Sequence, residues 1–129
     1  MKLLLDTHVL LWWLDDDPRL RPRVRAIIAD RQNEVFVSIA SFWELSIKRR
    51  KGGIKNGGFA VWQDATAEGF TVLAVTSQHL EAVEKLLLAA RHNDPFDQMI
   101  LAQATAERAA VITHDRAMTA YGVQCIGVR

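Results

Sequence analysis

Apolar residues along the chain fall into two spacings. Short continuous runs at 3–5, 35–38, 71–75, 110–113 and 123–128 are rich in Leu, Val and Ile and are bounded by polar or turn residues. Such runs suit strands buried on both faces of a parallel sheet. Between them lie longer stretches with helical patterning, over 8–15, 22–31, 41–50, 59–68, 77–88 and 95–109, and a short one over 116–121. Val24, Ile27 and Ile28 stand at i, i+3 and i+4, and Leu80, Val83, Leu87 and Leu88 define a face expected to meet the core. Strands that alternate with helices predict an α/β fold. The expected architecture is a single domain over residues 1–129, with a central parallel β-sheet of about five strands flanked by helices on both faces.

Local signals sharpen the element ends. Asp6 precedes the first helix and can cap its amides, as can Thr76-Ser77 before the 77–88 helix. Ser41-Phe42-Trp43-Glu44 has the spacing of a capping box, which would start a helix at 41. Asp94 stands as N-cap before Pro95 at the first helical position, which puts Asp97 at the third. The glycine-rich segment 52–58 reads as a flexible loop, and it carries no nucleotide role because it lacks the G-x-x-x-x-G-K-[ST] spacing that cradles phosphates.

Composition limits the setting. Half of the 129 residues are hydrophobic, enough for a core without disulfides, and Cys125 has no partner for an internal bridge. A reducing, cytoplasmic location follows as the expectation. The longest apolar runs, 9–14 and 86–90, fall well short of the roughly 20 residues a membrane span needs, and 1–5 is too short for a signal peptide. A net charge of +1 neither favours nor excludes a nucleic-acid partner. Two local basic clusters stand out: Arg19, Arg21, Arg23 and Arg25, and the tract Lys48, Arg49, Arg50, Lys51. Each reads either as a solvated helix terminus or as a phosphate-contacting rim.

The candidate chemistry lies in four acids. β-α crossovers bring strand C-termini and helix N-termini to one sheet edge, where ligands of open α/β sheets bind. Asp6 follows the first strand, Glu44 falls early in the helix after the second, Asp97 opens a helix, and Asp115 follows the fourth strand. Each alone is explained as a helix-capping acid. Together in one cleft they would repel, so that some stay protonated or a cation sits among them. Oxygen-only donors suit Mg2+ or Mn2+, and such a site with basic residues around it suits phosphodiester cleavage. Asp94 reads as an orienting residue rather than a ligand. The histidines, His8, His79, His92 and His114, lack zinc-site spacing, no G-x-S-x-G elbow is present, and Cys125 falls in a strand.

Residues 4–14 (LLDTHVLLWWL), 38–45 (SIASFWEL), 92–104 (HNDPFDQMILAQA) and 113–115 (THD) resemble, in that order, the motifs of PIN-domain toxins of the VapC type. The resemblance implies a metal-dependent endoribonuclease, the toxin of a toxin-antitoxin pair, with Asp6, Glu44, Asp97 and Asp115 matching the family's acids. It implies that Thr7 and Thr113 are supporting hydroxyls. It also implies an RNA substrate, a cognate antitoxin that covers the acid cleft, and a homodimer. Two positions depart from the family's pattern: Asn93 stands where a basic residue is frequent, and Gln98 where Arg commonly follows the third acid. Leu10, Leu11, Trp12, Trp13, Phe42 and Trp43 read either as core or as a partner or dimer face. Two other enzyme readings use the same acids, a DNA nuclease and a phosphatase. The phosphatase is disfavoured because Asp6-Thr7-His8-Val9 lacks a second acid two residues on. The non-enzyme alternative is a module of the same fold that binds a partner protein or RNA without cleavage.

Overall fold

The computed structural model describes residues 1–86, 94–121 and 123–127, and Ala120 by its backbone alone. In chain order the elements are β1 (Lys2–Leu5), α1 (Thr7–Leu14), α2 (Pro22–Ala29), β2 (Glu34–Ser38), α3 (Ile39–Arg50), α4 (Gly58–Ala67), β3 (Thr71–Leu73), α5 (Ser77–Glu84), α6 (Pro95–Glu107) and β4 (Ala110–Thr113). A 3-10 turn (Arg116–Tyr121) and β5 (Cys125–Gly127) complete the described chain. The strands form one five-stranded sheet in the order β3-β2-β1-β4-β5, and every pairing is parallel. The α/β sandwich expected from the alternation of runs is the observed fold.

β1 is the middle strand, and Leu3, Leu4 and Leu5 are wholly buried. Alternation along the strand sends Leu3 and Leu5 to one face and Leu4 to the other. The first face packs on α1 to α4 through Val9, Leu10, Val24, Phe42, Leu45 and Val61. The second meets α6 and the 3-10 turn through Ile100, Leu101, Ala104, Met118 and Tyr121. Burying each leucine contributes roughly 1.5–3 kcal/mol relative to leaving it exposed, so neither face tolerates a polar residue here.

Three local expectations are corrected. The helix after β2 begins at Ile39, with Ser38 as the N-cap accepting from the Ala40 amide at 3.0 Å. Ser41 and Glu44 therefore lie inside α3 and form no capping box, because the earlier serine already occupies the end of the strand. On α5, Leu80 points to solvent at 56% exposure, and His79 is the residue buried against α6. His79 also closes a capping box with Thr76, its Nδ1 accepting from the Thr76 amide at 3.0 Å. The imidazole thus takes the place in the core that the pattern assigned to leucine. The run at 71–75 leaves the sheet after Leu73. Leu87, Leu88, His92, Asn93 and Val128, the last residue of the 123–128 run, lie outside the described residues.

Gly58, read in sequence as part of a loop, starts α4 and is buried where α4 crosses α3. A Cβ there would overlap the Phe42 backbone carbonyl and the Ser46 hydroxyl. Since a backbone oxygen cannot rotate away, Gly58→Ala is expected to destabilise the protein by about 1–3 kcal/mol. A denaturant midpoint unchanged from the unsubstituted protein would refute this account of the α3–α4 contact.

Candidate functional site

The sheet order reverses direction of growth at β1: β2 and β3 lie to one side, β4 and β5 to the other. Such a switch point opens a crevice at the strand C-termini. Asp6 and Thr113 are the residues at that point. The Asp6 amide donates to the Ile112 carbonyl at 3.0 Å, which carries the β1–β4 ladder past the end of β1 and sets Asp6 beside Thr113. The two Asp6 oxygens then divide their work. Oδ1 caps α1 by accepting from the Val9 amide at 2.8 Å, and Oδ2 accepts the Thr113 hydroxyl proton. Thr113 Oγ1 in turn accepts from the Asp115 amide at 3.0 Å, and Asp115 Oδ1 accepts from the Ala117 amide at 2.9 Å. Capping accounts for half of the Asp6 carboxylate; the other half ties two strand ends together.

Glu44 joins this edge from α3. Thr7 Oγ1 donates to Glu44 Oε1 at 2.8 Å, and its 3.0 Å contact with Ser41 Oγ is then supplied by the serine's proton, since a hydroxyl has only one to give. Glu44 Oε2 pairs with the Lys48 ammonium at 3.0 Å, one helical turn on. All of Thr7, Ser41 and Glu44 are buried. The third contributor is α6. Asp94 caps it, Oδ1 accepting from the Phe96 and Asp97 amides at 2.8 and 3.1 Å, so the Asp94 carboxylate holds the Asp97 backbone directly. Asp97 is half-buried at the third helical position. Trp43 of α3 and Phe96 of α6 meet edge to face at 5.2 Å, which keeps the two helix N-termini together.

Among the described residues, no three Asp, Glu, His or Cys side chains are gathered closely enough to hold a metal ion. Asp6, Glu44 and Asp115 are each turned to hydroxyl, amide or ammonium partners of the chain itself. In kind, the donor set remains one that fits a hard divalent cation, with oxygen donors on one sheet edge. In arrangement it is a hydrogen-bonded edge rather than a ligand cluster. A hollow of about 180 Å3 beside it is lined by Thr113, His114 and Asp115 with residues of the 3-10 turn and β5.

The sequence profile of the PIN domain matches residues 3–123. The chain belongs to the PIN domain family. No curated protein sequence gives a match. Solved structures do, at the level of fold. VapBC2 from Rickettsia felis, bound to a DNA fragment from the promoter, matches with a TM-score of 0.70 at 13% identity, covering 98% of both chains. VapBC-1 from nontypeable Haemophilus influenzae gives 0.70 at 19% identity over 99% of this chain and 98% of that one. DNA-bound VapBC from Salmonella typhimurium gives 0.66 at 19% identity over 100% and 99%.

For this PIN domain the structure adds neighbours that sequence reasoning passed over. His114 Nδ1 lies 3.6 Å from Asp6 Oδ2, and the His114 ring meets His8 edge to face at 4.7 Å and Trp12 at 5.1 Å. Desolvation lowers the His8 imidazole below its ordinary value, opposed by nearby Asp6 and reinforced by His114. The readable signal was position: His8 and His114 each stand two residues or fewer beyond a strand-end residue of the edge. The basic clusters are partly occupied within the chain. Arg19 pairs with Asp17 at 2.7 Å, Arg25 with Asp16 and the Trp12 and Asp17 carbonyls, Lys48 with Glu44, and Arg49 donates to the Ile54 carbonyl.

Thr113 is the joint of this edge. Thr113→Val is expected to cost about 1–3 kcal/mol, because Asp6 Oδ2 and the Asp115 amide lose their partner inside the protein. Thr113→Ser restores both bonds and most of the stability. Equal unfolding free energies for the Val and Ser variants at neutral pH would contradict the bridging role.

Proposed function

We propose that this PIN domain is an endoribonuclease toxin of the VapC type that cleaves RNA phosphodiester bonds at the edge carrying Asp6, Glu44, Asp97 and Asp115. The observation that carries the reading is the linkage at the switch point. The Asp6 carboxylate and the Asp115 amide are joined through the Thr113 hydroxyl, and Glu44 accepts from Thr7, the residue after Asp6. Four oxygen-donor acids on one edge suit Mg2+ or Mn2+, with Asp6, Glu44, Asp97 and Asp115 as the residues that would hold it. When bound, such a cation lowers the pKa of a water and offsets charge on the phosphate and leaving oxygen.

The chain's own groups prepare that edge. The Thr113 hydroxyl donates to Asp6 Oδ2 and so fixes the direction of that carboxylate. Thr7 fixes the direction of the Glu44 carboxylate, and Lys48 offsets its charge. Asp94 orients the first turn of α6 and with it Asp97. The toxin assignment draws on the fold neighbours, which are toxin-antitoxin assemblies, and carries with it a cognate antitoxin and a homodimer. In the described residues no helix is long and apolar enough to cross a membrane.

A second reading is a PIN module that binds a protein or RNA without cutting. It is favoured by the internal satisfaction of the carboxylates described above. Incubating the purified protein with RNA, DNA and a phosphomonoester, with Mg2+, Mn2+ or excess EDTA, separates the readings. Cleavage of RNA alone, dependent on the cation, is the expected result, and Asp6→Asn or Asp97→Asn should reduce it to background with the far-UV circular dichroism unchanged. Cleavage that persists in EDTA would eliminate the metal-dependent mechanism. An inert protein in every arm would leave the binding module as the better account.

A further inference from the structure

An exposed aromatic groove lies between α3 and α4, and the nuclease reading leaves it without a role. Trp43 is 63% exposed and Phe59 is 70% exposed, and both line a groove of about 390 Å3 between α3 and α4 with Phe42 and Trp62. Phe59 and Trp62 are stacked nearly parallel, 11° apart with centroids at 5.9 Å. We propose that this groove is a stacking platform for the unpaired bases of a single-stranded RNA whose backbone crosses the acid edge, with Trp43 as the residue nearest the site. The inference rests on the nuclease reading, because it takes that site to act on RNA.

Three features favour a nucleic-acid strand over another occupant. The first is continuity. Trp43 directly precedes Glu44, Phe96 directly precedes Asp97, and the two rings touch, so the aromatic surface begins where the acids stand. The second is charge. Ile39, Trp43, Ser46 and Arg50 succeed one another by four, three and four residues and so share one face of α3. That face runs from apolar to cationic, ending at the exposed Arg50, with the exposed Lys51 following as the C-cap of the helix. Single-strand sites combine aromatic rings for bases with cations for phosphates, and sequence preference is weak because every base has a π-face. An apolar peptide would use the rings and leave the adjoining cations without a role. The third is rigidity. The close crossing at Gly58 fixes α4 on α3, so the rings are held apart before any ligand arrives.

The test is binding without cleavage. Fluorescence anisotropy of a labelled, mixed-sequence single-stranded oligoribonucleotide is measured with the full chain in EDTA, beside the same sequence as a duplex. Trp43→Ala is expected to weaken single-strand binding about tenfold. Trp43→Phe should retain most of the affinity, and duplex binding should change little. Arg50→Ala should lower the slope of log affinity against log salt by about 0.7, the value for one phosphate contact on a single strand. Phe59→Ala gives an independent second probe of the same groove, and thermal melts establish that each variant is folded. Unaltered single-strand affinity in both folded alanine variants overturns the platform. So does a loss of self-association by Trp43→Ala in sedimentation with RNA affinity intact, which would make the groove a face between copies. If the unsubstituted protein binds no single strand at all, the ribonuclease reading falls too, whereas a silent Trp43 substitution removes only the stacking.

Discussion

The constraint on which the structure depends is the enclosure of β1. A strand with Leu3, Leu4 and Leu5 wholly buried is closed to water on both sides, and β2 and β4 close its two lateral edges. The first place along this segment where a carboxylate can stand is therefore its C-terminal end, and Asp6 stands there. Because β1 is also where the sheet order reverses, that end faces the gap between helices arriving from opposite faces. Hydrophobic enclosure and polar edge are two consequences of one arrangement. The core fixes the position of Asp6, and the ladder bond to Ile112 fixes its neighbour.

Much of this was legible because it is written in local chemistry. The apolar runs located all the strands, and the bounds of β4 follow from the change between Arg108-Ala109 and His114. Asp94-Pro95 announced α6, since an acid cap followed by proline leaves little other choice. What was not legible depended on competition or on tertiary contact. Ser38 and Ser41 are both credible caps, and the strand's own end decided between them. Leu80 and His79 are adjacent, and the imidazole is the buried one, held by the Thr76 amide on Nδ1 and by Glu107, 2.9 Å from Nε2. Gly58 was hidden within a glycine-rich segment until α3 lay against it.

The aromatic residues illustrate the same limit. Leu10 and Phe42 are fully part of the core, and Leu11, Trp12 and Trp13 are half-buried against it. Of the residues singled out in sequence as surplus, Trp43 alone is well exposed, while Phe59 and Trp62 join it from a helix that had drawn no such notice. Hydrophobic identity does not separate these groups. Helical phase relative to the sheet does, and that phase is set by the packing of α3 rather than by residue type.

Electrostatics gives the last step. Acids brought to one edge by folding were expected to repel and so to require either protons or a cation. The chain answers part of that repulsion itself: the hydroxyls of Thr7 and Thr113 and the ammonium of Lys48 take up Asp6 and Glu44 oxygens. A divalent ion that took Glu44 as a ligand would therefore compete with Lys48 for the same carboxylate. Ion pairs at i,i+4 on a helix contribute only about 0.2–0.5 kcal/mol in the open, whereas a buried carboxylate left unpaired costs more than a hydrogen bond. The pair is thus weak enough to exchange partners while leaving Glu44 Oε2 with a partner between exchanges. Lys48, once released, would stand at the head of the Arg49-Arg50-Lys51 tract, adding its charge to the cations beside the groove. Internal neutralisation and ligand binding draw on the same few groups, so an edge that satisfies its own charges is not for that reason inert.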